Sequence, residues 1–267
     1  MLPENQITQL AHSLFRARRD CKPLAQFSKT LCGLSIGAAY AIQREWTRQE
    51  TRAGRELRGY KVGLTSQALQ LAFQTGEPDY GPLLDDMLFE SGSEIPVERF
   101  IAPRIEVELA FVLGRPLQGP GVTVDDVLRA TDYVTPAFEL IDERIEQFDR
   151  ETRQPRKLAD VIADFAAAAG VVLGTQRIAP HPFDFLRTAA TAYKNEVAGV
   201  TGTGAAVLGD PTLSVVWLAN KLATDGRALE AGDILLTGSF TKPVTAGRGD
   251  VMRADYGQLG EISFKFV

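Results

Sequence analysis

The sequence contains the alternating run Pro103-Arg104-Ile105-Glu106-Val107-Glu108-Leu109-Ala110-Phe111. Such alternation is typical of a β-strand, because successive side chains of a strand point to opposite faces of the sheet. The apolar residues of the run share one face, and Glu106 and Glu108 share the other. The run therefore predicts a strand that carries two carboxylates on the same side.

These two carboxylates have two interpretations. Residues two apart on a strand lie about 6.6 to 6.8 Å apart at the backbone, which lets both side chains reach one cation. Acidic residues at alternating positions are also typical of the solvated face of a sheet. The metal site is favoured by Glu139, which interrupts the apolar run Ala137-Phe138-Glu139-Leu140-Ile141, where an unpaired charge is costly. Oxygen ligands alone indicate Mg²⁺ or Mn²⁺ at Glu106, Glu108 and Glu139.

Outward from this strand, the chain is helical at its start and rich in strands afterwards. Apolar residues recur at helical spacing over Glu4–Cys21, and a second helix is predicted from an N-cap at Ser35 to Gly54. Further helices are predicted over Val124–Ala130, Leu158–Ala169 and Pro211–Leu222. Strands are predicted over Leu57–Thr65, Pro103–Leu113, Tyr133–Ile141, Gly170–Leu173, Ile234–Gly238 and Glu261–Val267.

The order of these elements bears on the fold class. Strict strand–helix alternation is lacking, which favours a mixed or mainly antiparallel sheet with outer helices over a doubly wound fold. The glycine-rich segment Gly199–Gly204 has no lysine of the kind that a phosphate-binding loop needs, so it predicts a turn. We expect an N-terminal helical segment over residues 1–56 and a catalytic domain over residues 57–267, together forming one compact unit.

Composition limits the partners of the chain. It has 267 residues, 45% of them hydrophobic, and a net charge of −5, so it offers no basic excess to nucleic acid or to an anionic membrane. No apolar run approaches the roughly 20 residues of a membrane-spanning helix. The N-terminus is too charged for a signal peptide. Cys21 and Cys32 form no CxxC pair and suit a reducing compartment. We expect a soluble, cytoplasmic protein whose partner is a small molecule or another subunit.

A second motif supports a functional role for the acidic residues. It is the run Arg58-Gly59-Tyr60-Lys61-Val62-Gly63-Leu64-Thr65-Ser66. Together they resemble the hydratase and decarboxylase branch of the fumarylacetoacetase superfamily, and the resemblance extends over the whole chain. It implies an α+β fold with a rolled, barrel-like mixed β-sheet, the fumarylacetoacetase C-terminal-like fold, with outer helices and an N-terminal helical segment. It also implies a homo-oligomer with Mg²⁺ or Mn²⁺ held by Glu106, Glu108 and Glu139.

The resemblance further implies a lyase of aromatic catabolism that adds water to a 2-hydroxydienoate or 2-oxo-enoate, with 2-oxohept-3-ene-1,7-dioate as the expected substrate. Lys61 and Asp79 match its catalytic positions. Leu64, Ser239 and Lys242 are expected to contact the substrate, with Lys242 or alternatively Arg248 beside a second carboxylate. Taken without the resemblance, Lys61 is equally a solvated strand residue, Asp79 a turn former, and Lys242 a solvated loop charge.

Alternatives to the hydratase remain open. A 2-oxo-3-enedioate decarboxylase of the 4-oxalocrotonate type uses the same metal-stabilised enolate. A non-catalytic partner subunit is disfavoured by the retention of the three acids and Lys61. An acylpyruvate hydrolase is disfavoured because no His–Glu pair is placed to activate water. Phe165 and Ala168 stand where similar enzymes carry Asn, and a predicted consequence is a reshaped pocket.

Overall fold

The computed structural model describes residues 2–31 and 33–267. Its α-helices are α1 Glu4–Asp20, α2 Phe27–Thr30, α3 Ile36–Arg52, α4 Gln67–Ala72, α5 Val124–Ala130, α6 Leu158–Ala163 and α7 Pro211–Ala223. The N-cap predicted at Ser35 is confirmed, and Thr123 and Asp210 act in the same way: each accepts a hydrogen bond from a backbone amide in the first turn of its helix, α3, α5 and α7 respectively. These bonds satisfy amides that have no partner within the helix. The expectation for Cys32 lies outside the described residues.

Strands make up the rest of the regular structure. They are β1 Leu57–Gly63, β2 Asp79–Leu84, β3 Leu88–Glu90, β4 Glu94–Ile95, β5 Arg104–Leu113, β6 Thr131–Ile141, β7 Ala168–Leu173, β8 Ala189–Lys194, β9 Val197–Thr203, β10 Ile234–Leu236, β11 Val244–Thr245, β12 Val251–Asp255 and β13 Glu261–Phe266. All six predicted strands are present.

The strands form two mixed sheets. The first has the order β2-β1-β10-β5-β6-β7-β3, with β11 paired to the end of β5, and the second has the order β4-β13-β12-β8-β9. Most neighbours are antiparallel, while β1 with β10, β3 with β7 and β4 with β13 are parallel. The α+β class with mixed sheets is confirmed. Over residues 2–31 and 33–267 neither sheet closes into a barrel.

The long antiparallel pair β5–β6 lies at the centre of the first sheet. Its register runs from Arg104 opposite Ile141 to Leu113 opposite Thr131. The odd-numbered residues of the predicted strand, including Ile105 and Val107, are buried, as the alternation indicated. On that face Phe138 of β6 meets Phe264 of β13 edge to face, with ring centroids 5.5 Å apart. The second sheet therefore covers one face of β5–β6 and leaves the other face to the acidic residues.

The N-terminal helices pack onto the sheet system. Helix α3 contacts both α1 and α6, and Trp46 of α3 stacks on Phe165 with ring centroids 3.6 Å apart. The backbone amide of Leu24 donates to the carbonyl of Arg144 at 2.8 Å. We propose on these contacts that residues 1–56 and 57–267 form one compact unit. No helix among the described residues is long and apolar enough to cross a membrane.

One predicted helix is wrong in extent. The helix predicted over Leu158–Ala169 ends at Ala163, and Phe165, Ala166 and Ala167 adopt positive φ angles of 53°, 49° and 67° before β7 begins at Ala168. The carboxylate of Asp164 accepts hydrogen bonds from the backbone amides of Arg144 and Ile145. Arg144 and Ile145 are distant from Asp164 in sequence, so the helical periodicity could not predict that the helix ends here.

The turn predicted over Gly199–Gly204 is also wrong, because β9 covers Val197–Thr203. The glycines there serve packing: a Cβ on Gly202 would lie 1.9 Å from the carbonyl oxygen of Phe240. Glycine in a strand interior commonly marks such a close backbone approach.

Candidate metal and substrate site

The three predicted ligands meet on the face of β5–β6 that is turned away from the second sheet. Glu106 and Glu139 are directly paired across the two strands, and Glu108 lies two residues along β5, opposite Ala137. One carboxylate oxygen of each residue lies within 4.8 Å of the others. Glu108 and Glu139 are fully buried, and Glu106 is half-buried.

The hydrogen bonding of these acids is incomplete. Glu108 Oε2 accepts from the backbone amide of Gly238 at 2.8 Å, but Glu108 Oε1 and both oxygens of Glu139 have no hydrogen-bond partner. Buried carboxylate oxygens without partners are costly unless a cation or a proton neutralises them. The oxygen-only donor set therefore fits a hard divalent cation.

The pKa values of the three acids also favour a bound cation. Burial raises the pKa of all three carboxyls, that of Glu139 to about 7 even though the positive charge of Lys61 opposes the shift. For Glu108 the charges of Glu139 and Glu106 add to burial and place its pKa well above the ordinary value. Like charges this close disfavour full ionisation, and a bound cation reverses that preference.

Lys61 and Asp79 come from β1 and β2 and lie beside the acids. Lys61 Nζ lies 3.2 Å from Glu139 Oε1 and donates a hydrogen bond of 3.0 Å to the carbonyl oxygen of Ala166. Burial alone would lower the pKa of Lys61, but the surrounding carboxylates, Glu139 first, raise it above its ordinary value. Lys61 is therefore an ammonium ion. The solvated-strand alternative does not describe it, because its side chain is buried.

Asp79 is likewise buried, and it lies within β2 instead of a turn. It pairs with Gly63 of β1, and a Cβ on Gly63 would lie 2.3 Å from Asp79 Oδ1. Burial raises the pKa of Asp79 to about 6 against the opposing charge of Lys61. The two predicted catalytic residues are therefore in one buried group with the acids.

Of the three residues predicted to contact the substrate, two lie near the acids and one does not. Leu64 follows β1 with a φ of 55° and is nearly buried. Ser239 follows Gly238, the amide donor to Glu108, and its hydroxyl donates to the carbonyl of Thr241 at 2.8 Å. Lys242 is exposed and precedes β11. The structure thus brings Leu64 and Ser239 to the ends of strands that border the acids, whereas Lys242 lies at the surface.

Several residues that shape the site were missed from the sequence. Tyr256 is buried, and its hydroxyl lies within hydrogen-bonding distance of the carbonyls of Glu108 (2.7 Å) and Ala137 (2.9 Å). It lies between β12 and β13, where no pattern signalled it. Gly81 of β2 is a second such residue, because a Cβ there would lie 1.8 Å from the carbonyl oxygen of Phe165. This close contact lets the left-handed segment Phe165–Ala167 pack directly against β2.

Phe165 belongs to this segment, and its ring is fully buried against Trp46. The segment reaches the site through its backbone, because the carbonyl of Ala166 accepts from Lys61 and that of Phe165 abuts Gly81. The structure therefore connects Phe165 to the site through its backbone, and a reshaped pocket stays a prediction.

Comparison with known proteins identifies the family. Residues 72–267 match the model of the fumarylacetoacetate (FAA) hydrolase C-terminal family. The chain belongs to this family. It is 51% identical over 267 residues to the 2-oxo-hept-4-ene-1,7-dioate hydratase of Escherichia coli, with 100% of both chains covered. It is 35% identical over 266 residues to the 2-keto-4-pentenoate hydratase of Paraburkholderia xenovorans (strain LB400), with 100% of this chain and 96% of that protein covered.

Solved structures agree with the family assignment. The chain superposes on 4-oxalocrotonate decarboxylase from Pseudomonas putida G7, complexed with magnesium and adipate, with a TM-score of 0.94 and 31% identity. The match covers 100% of this chain and 99% of that chain. The resemblance inferred from the sequence motifs is therefore confirmed.

Proposed function

We propose that this chain is a divalent-metal-dependent hydro-lyase that hydrates a 2-hydroxydienoate or 2-oxo-enoate, with a seven-carbon dioate as its preferred substrate. The observation that carries the proposal is the group of three buried, incompletely hydrogen-bonded carboxylates beside the ammonium of Lys61. The full-length similarity to the E. coli 2-oxo-hept-4-ene-1,7-dioate hydratase supports the substrate class. The 3-ene and 4-ene oxo acids are keto tautomers of one 2-hydroxydienoate, so both names suit one reaction.

Glu106, Glu108 and Glu139 are the proposed ligands, with Mg²⁺ or Mn²⁺ as the proposed ion. A divalent cation there supplies positive charge beside the carboxylate and C2 oxygen of an oxo acid and so favours the enolate. Lys61 adds a second, permanent positive charge next to Glu139. We propose that it orients the substrate's oxygen atoms.

Asp79 is the proposed proton carrier. Its pKa of about 6 lies near neutral pH, which suits a group that both accepts and releases a proton. In the proposed reaction, a 2-hydroxydienoate loses its enol proton and gains a proton at C5, which gives the 2-oxo-3-enoate. Water then adds across C3 and C4: its hydroxyl bonds to C4 and a proton bonds to C3, and Asp79 is proposed to carry the proton that reaches C3. The product is a 4-hydroxy-2-oxo acid, and no oxidant or reductant takes part.

A decarboxylase is the second candidate, favoured by the similarity to 4-oxalocrotonate decarboxylase. Loss of CO₂ also proceeds through an enolate, so the same acids and Lys61 serve it. A non-catalytic subunit does not need a buried lysine among buried acids, and we do not propose it. The homo-oligomer and the cytoplasmic location expected from the sequence remain predictions.

The test is to incubate the protein with Mg²⁺ and enzymatically generated 2-hydroxydienoic acids of five, six and seven carbons, and to separate the products by mass. We expect gain of water, fastest for the seven-carbon dioate. Loss of CO₂ would establish the decarboxylase instead. Failure to convert any of these acids would overturn both.

A further inference from the structure

Arg104 shares a strand face with the acids. Residues 104, 106 and 108 of β5 alternate with buried apolar residues, so the side chains of Arg104, Glu106 and Glu108 leave the same side of the sheet. Arg104 lies about 6.8 Å along the strand from Glu106, because a strand rises about 3.4 Å per residue. Its side chain is 26% exposed, beside the half-buried Glu106.

An ion-pair network holds Arg104 in place. Its Nη2 atom contacts Glu143 Oε1, and the same oxygen lies 3.6 Å from Nη2 of Arg156. Arg156 in turn lies 3.0 Å from Asp164, which also pairs with Arg144 at 2.6 Å. These ion pairs join three guanidinium groups to two carboxylates, and Arg104 has the most exposed side chain of the five. Within the described residues the guanidinium group of Arg104 donates a hydrogen bond only to Glu143, so its other N–H groups are available.

The network lies close to the acidic group on two sides. Arg104 opposes the rise in the pKa of Glu106, and Arg156 opposes that of Asp79. Arg104 and Glu106 are therefore neighbours on one face of β5, and Lys61 lies beside the acids.

We propose that Arg104, held by Glu143 and Arg156, binds the distal carboxylate of a dicarboxylic 2-oxo acid and so sets the preference for diacids. The proposal rests on the proposed function, in which the oxo end of the substrate lies at Glu106, Glu108 and Glu139. Six carbon–carbon bonds of about 1.5 Å span roughly 7 to 8 Å between the two carboxyl carbons of a seven-carbon dioate. This length is comparable to the spacing of Arg104 and Glu106 along β5.

Arg104 suits this role better than Lys242, the residue expected from the sequence. A guanidinium presents a planar fork that matches a carboxylate, and its partners here fix its position before the substrate arrives. Lys242 is an exposed side chain with no ion pair in the described part of the chain. A flexible exposed lysine loses more conformational freedom on binding.

The experiment compares kcat/KM for the seven-carbon dioate and for the five-carbon monoacid 2-hydroxypenta-2,4-dienoate in wild type, Arg104→Gln, Arg104→Lys and Lys242→Ala. Arg104→Gln should lose about 10- to 100-fold on the dioate and less than about threefold on the monoacid. Arg104→Lys should retain part of the preference. Arg129→Gln, which removes a surface arginine paired with Asp126, is the matched control and should change neither value.

A second measurement does not depend on turnover. The double variant Arg104→Gln/Glu143→Gln keeps a neutral hydrogen-bonding pair, so it remains testable if the single variant is unstable. Calorimetry with Mg²⁺ compares adipate with hexanoate, which have six carbons each and differ by one carboxylate. Wild type should bind adipate more tightly than hexanoate, and both Arg104→Gln and the double variant Arg104→Gln/Glu143→Gln should abolish that difference.

The outcomes separate the two proposals. The role of Arg104 would be overturned by equal losses on dioate and monoacid in Arg104→Gln, or by a selective loss only in Lys242→Ala. An adipate preference that survives in Arg104→Gln and in the double variant would overturn it as well. If wild type converts none of the oxo acids, the proposed function fails, while the calorimetry still decides what Arg104 binds.

Discussion

Glu139 Oε1 lies 3.2 Å from Lys61 Nζ in an ion pair, while neither oxygen of Glu139 has a hydrogen-bond partner. The ammonium group donates to the carbonyl of Ala166 instead. Lys61 thus lowers the electrostatic cost of burying Glu139 without occupying its lone pairs. Glu139 is left available to a cation.

Replacement of Glu139 by Gln should abolish metal binding while the fold persists. The amide keeps the shape of the side chain but offers one acceptor and removes one negative charge from a repelling group. We expect Mg²⁺ to raise the Tm of wild type and to leave that of Glu139→Gln unchanged, with activity reduced at least about 100-fold. Circular dichroism and thermal melts with and without Mg²⁺ measure this.

Glu261→Gln is the control, because Glu261 is an exposed partner of Arg253. It should keep the full response of the Tm to Mg²⁺. A normal response in Glu139→Gln would remove Glu139 from the ligand set.

The metal-free protein should lose stability as the pH rises from about 4.5 to about 7. The pKa of Glu139 rises on folding from its ordinary value of 4.5 to about 7, so the folded state binds the proton more tightly than the unfolded state. Its contribution to stability is present below pH 4.5 and is lost as the carboxyl ionises. Saturating Mg²⁺ binds the ionised form, so the difference in Tm between Mg²⁺ and EDTA samples should grow with pH. A difference that is constant across this range would contradict the prediction.

The acidic group was predictable because its geometry is local. Alternation in β5 fixes the shared face of Glu106 and Glu108, and an acid within an apolar strand marks Glu139. The capped helices were predictable for the same reason, since Ser35 and Thr123 act on amides three residues away. Arg104 follows the same alternation, but its partners Glu143 and Arg156 are distant in sequence and could not be predicted from it.

The missed features depend on contacts between distant residues. Asp79-Tyr80-Gly81-Pro82 resembles a turn in composition, but it forms the edge strand β2, where proline is tolerated. The segment Phe165–Ala167 has helix-compatible residues, but Asp164 binds amides about twenty positions earlier in the chain and the φ angles become positive. Neither structure can be predicted from the residues that are adjacent in sequence.

Gly81→Ala should destabilise the fold and displace the backbone segment whose Ala166 carbonyl accepts a hydrogen bond from Lys61. A Cβ at Gly81 would lie 1.8 Å from the carbonyl oxygen of Phe165, so the backbone of one segment has to shift. We expect a loss of at least about 2 kcal/mol in the free energy of unfolding. Gly76→Ala is the matched control, since a Cβ there meets nothing within 4 Å. Denaturant unfolding measures both, and equal stability of the two variants would show that the contact is not rigid.

Tyr256→Phe tests whether the second sheet supports the metal ligands. The hydroxyl of Tyr256 reaches the carbonyls of Glu108 and Ala137, which are opposite each other in β5 and β6. Its removal leaves buried carbonyls with less hydrogen bonding and should cost about 1 to 3 kcal/mol of stability. Because Glu108 is one of those two residues, we also expect weaker Mg²⁺ binding by calorimetry. Tyr193→Phe removes a hydroxyl from the half-buried ring beneath Arg253 and should change neither quantity. Loss of stability with unchanged Mg²⁺ affinity would mean that Tyr256 joins the sheets without positioning Glu108.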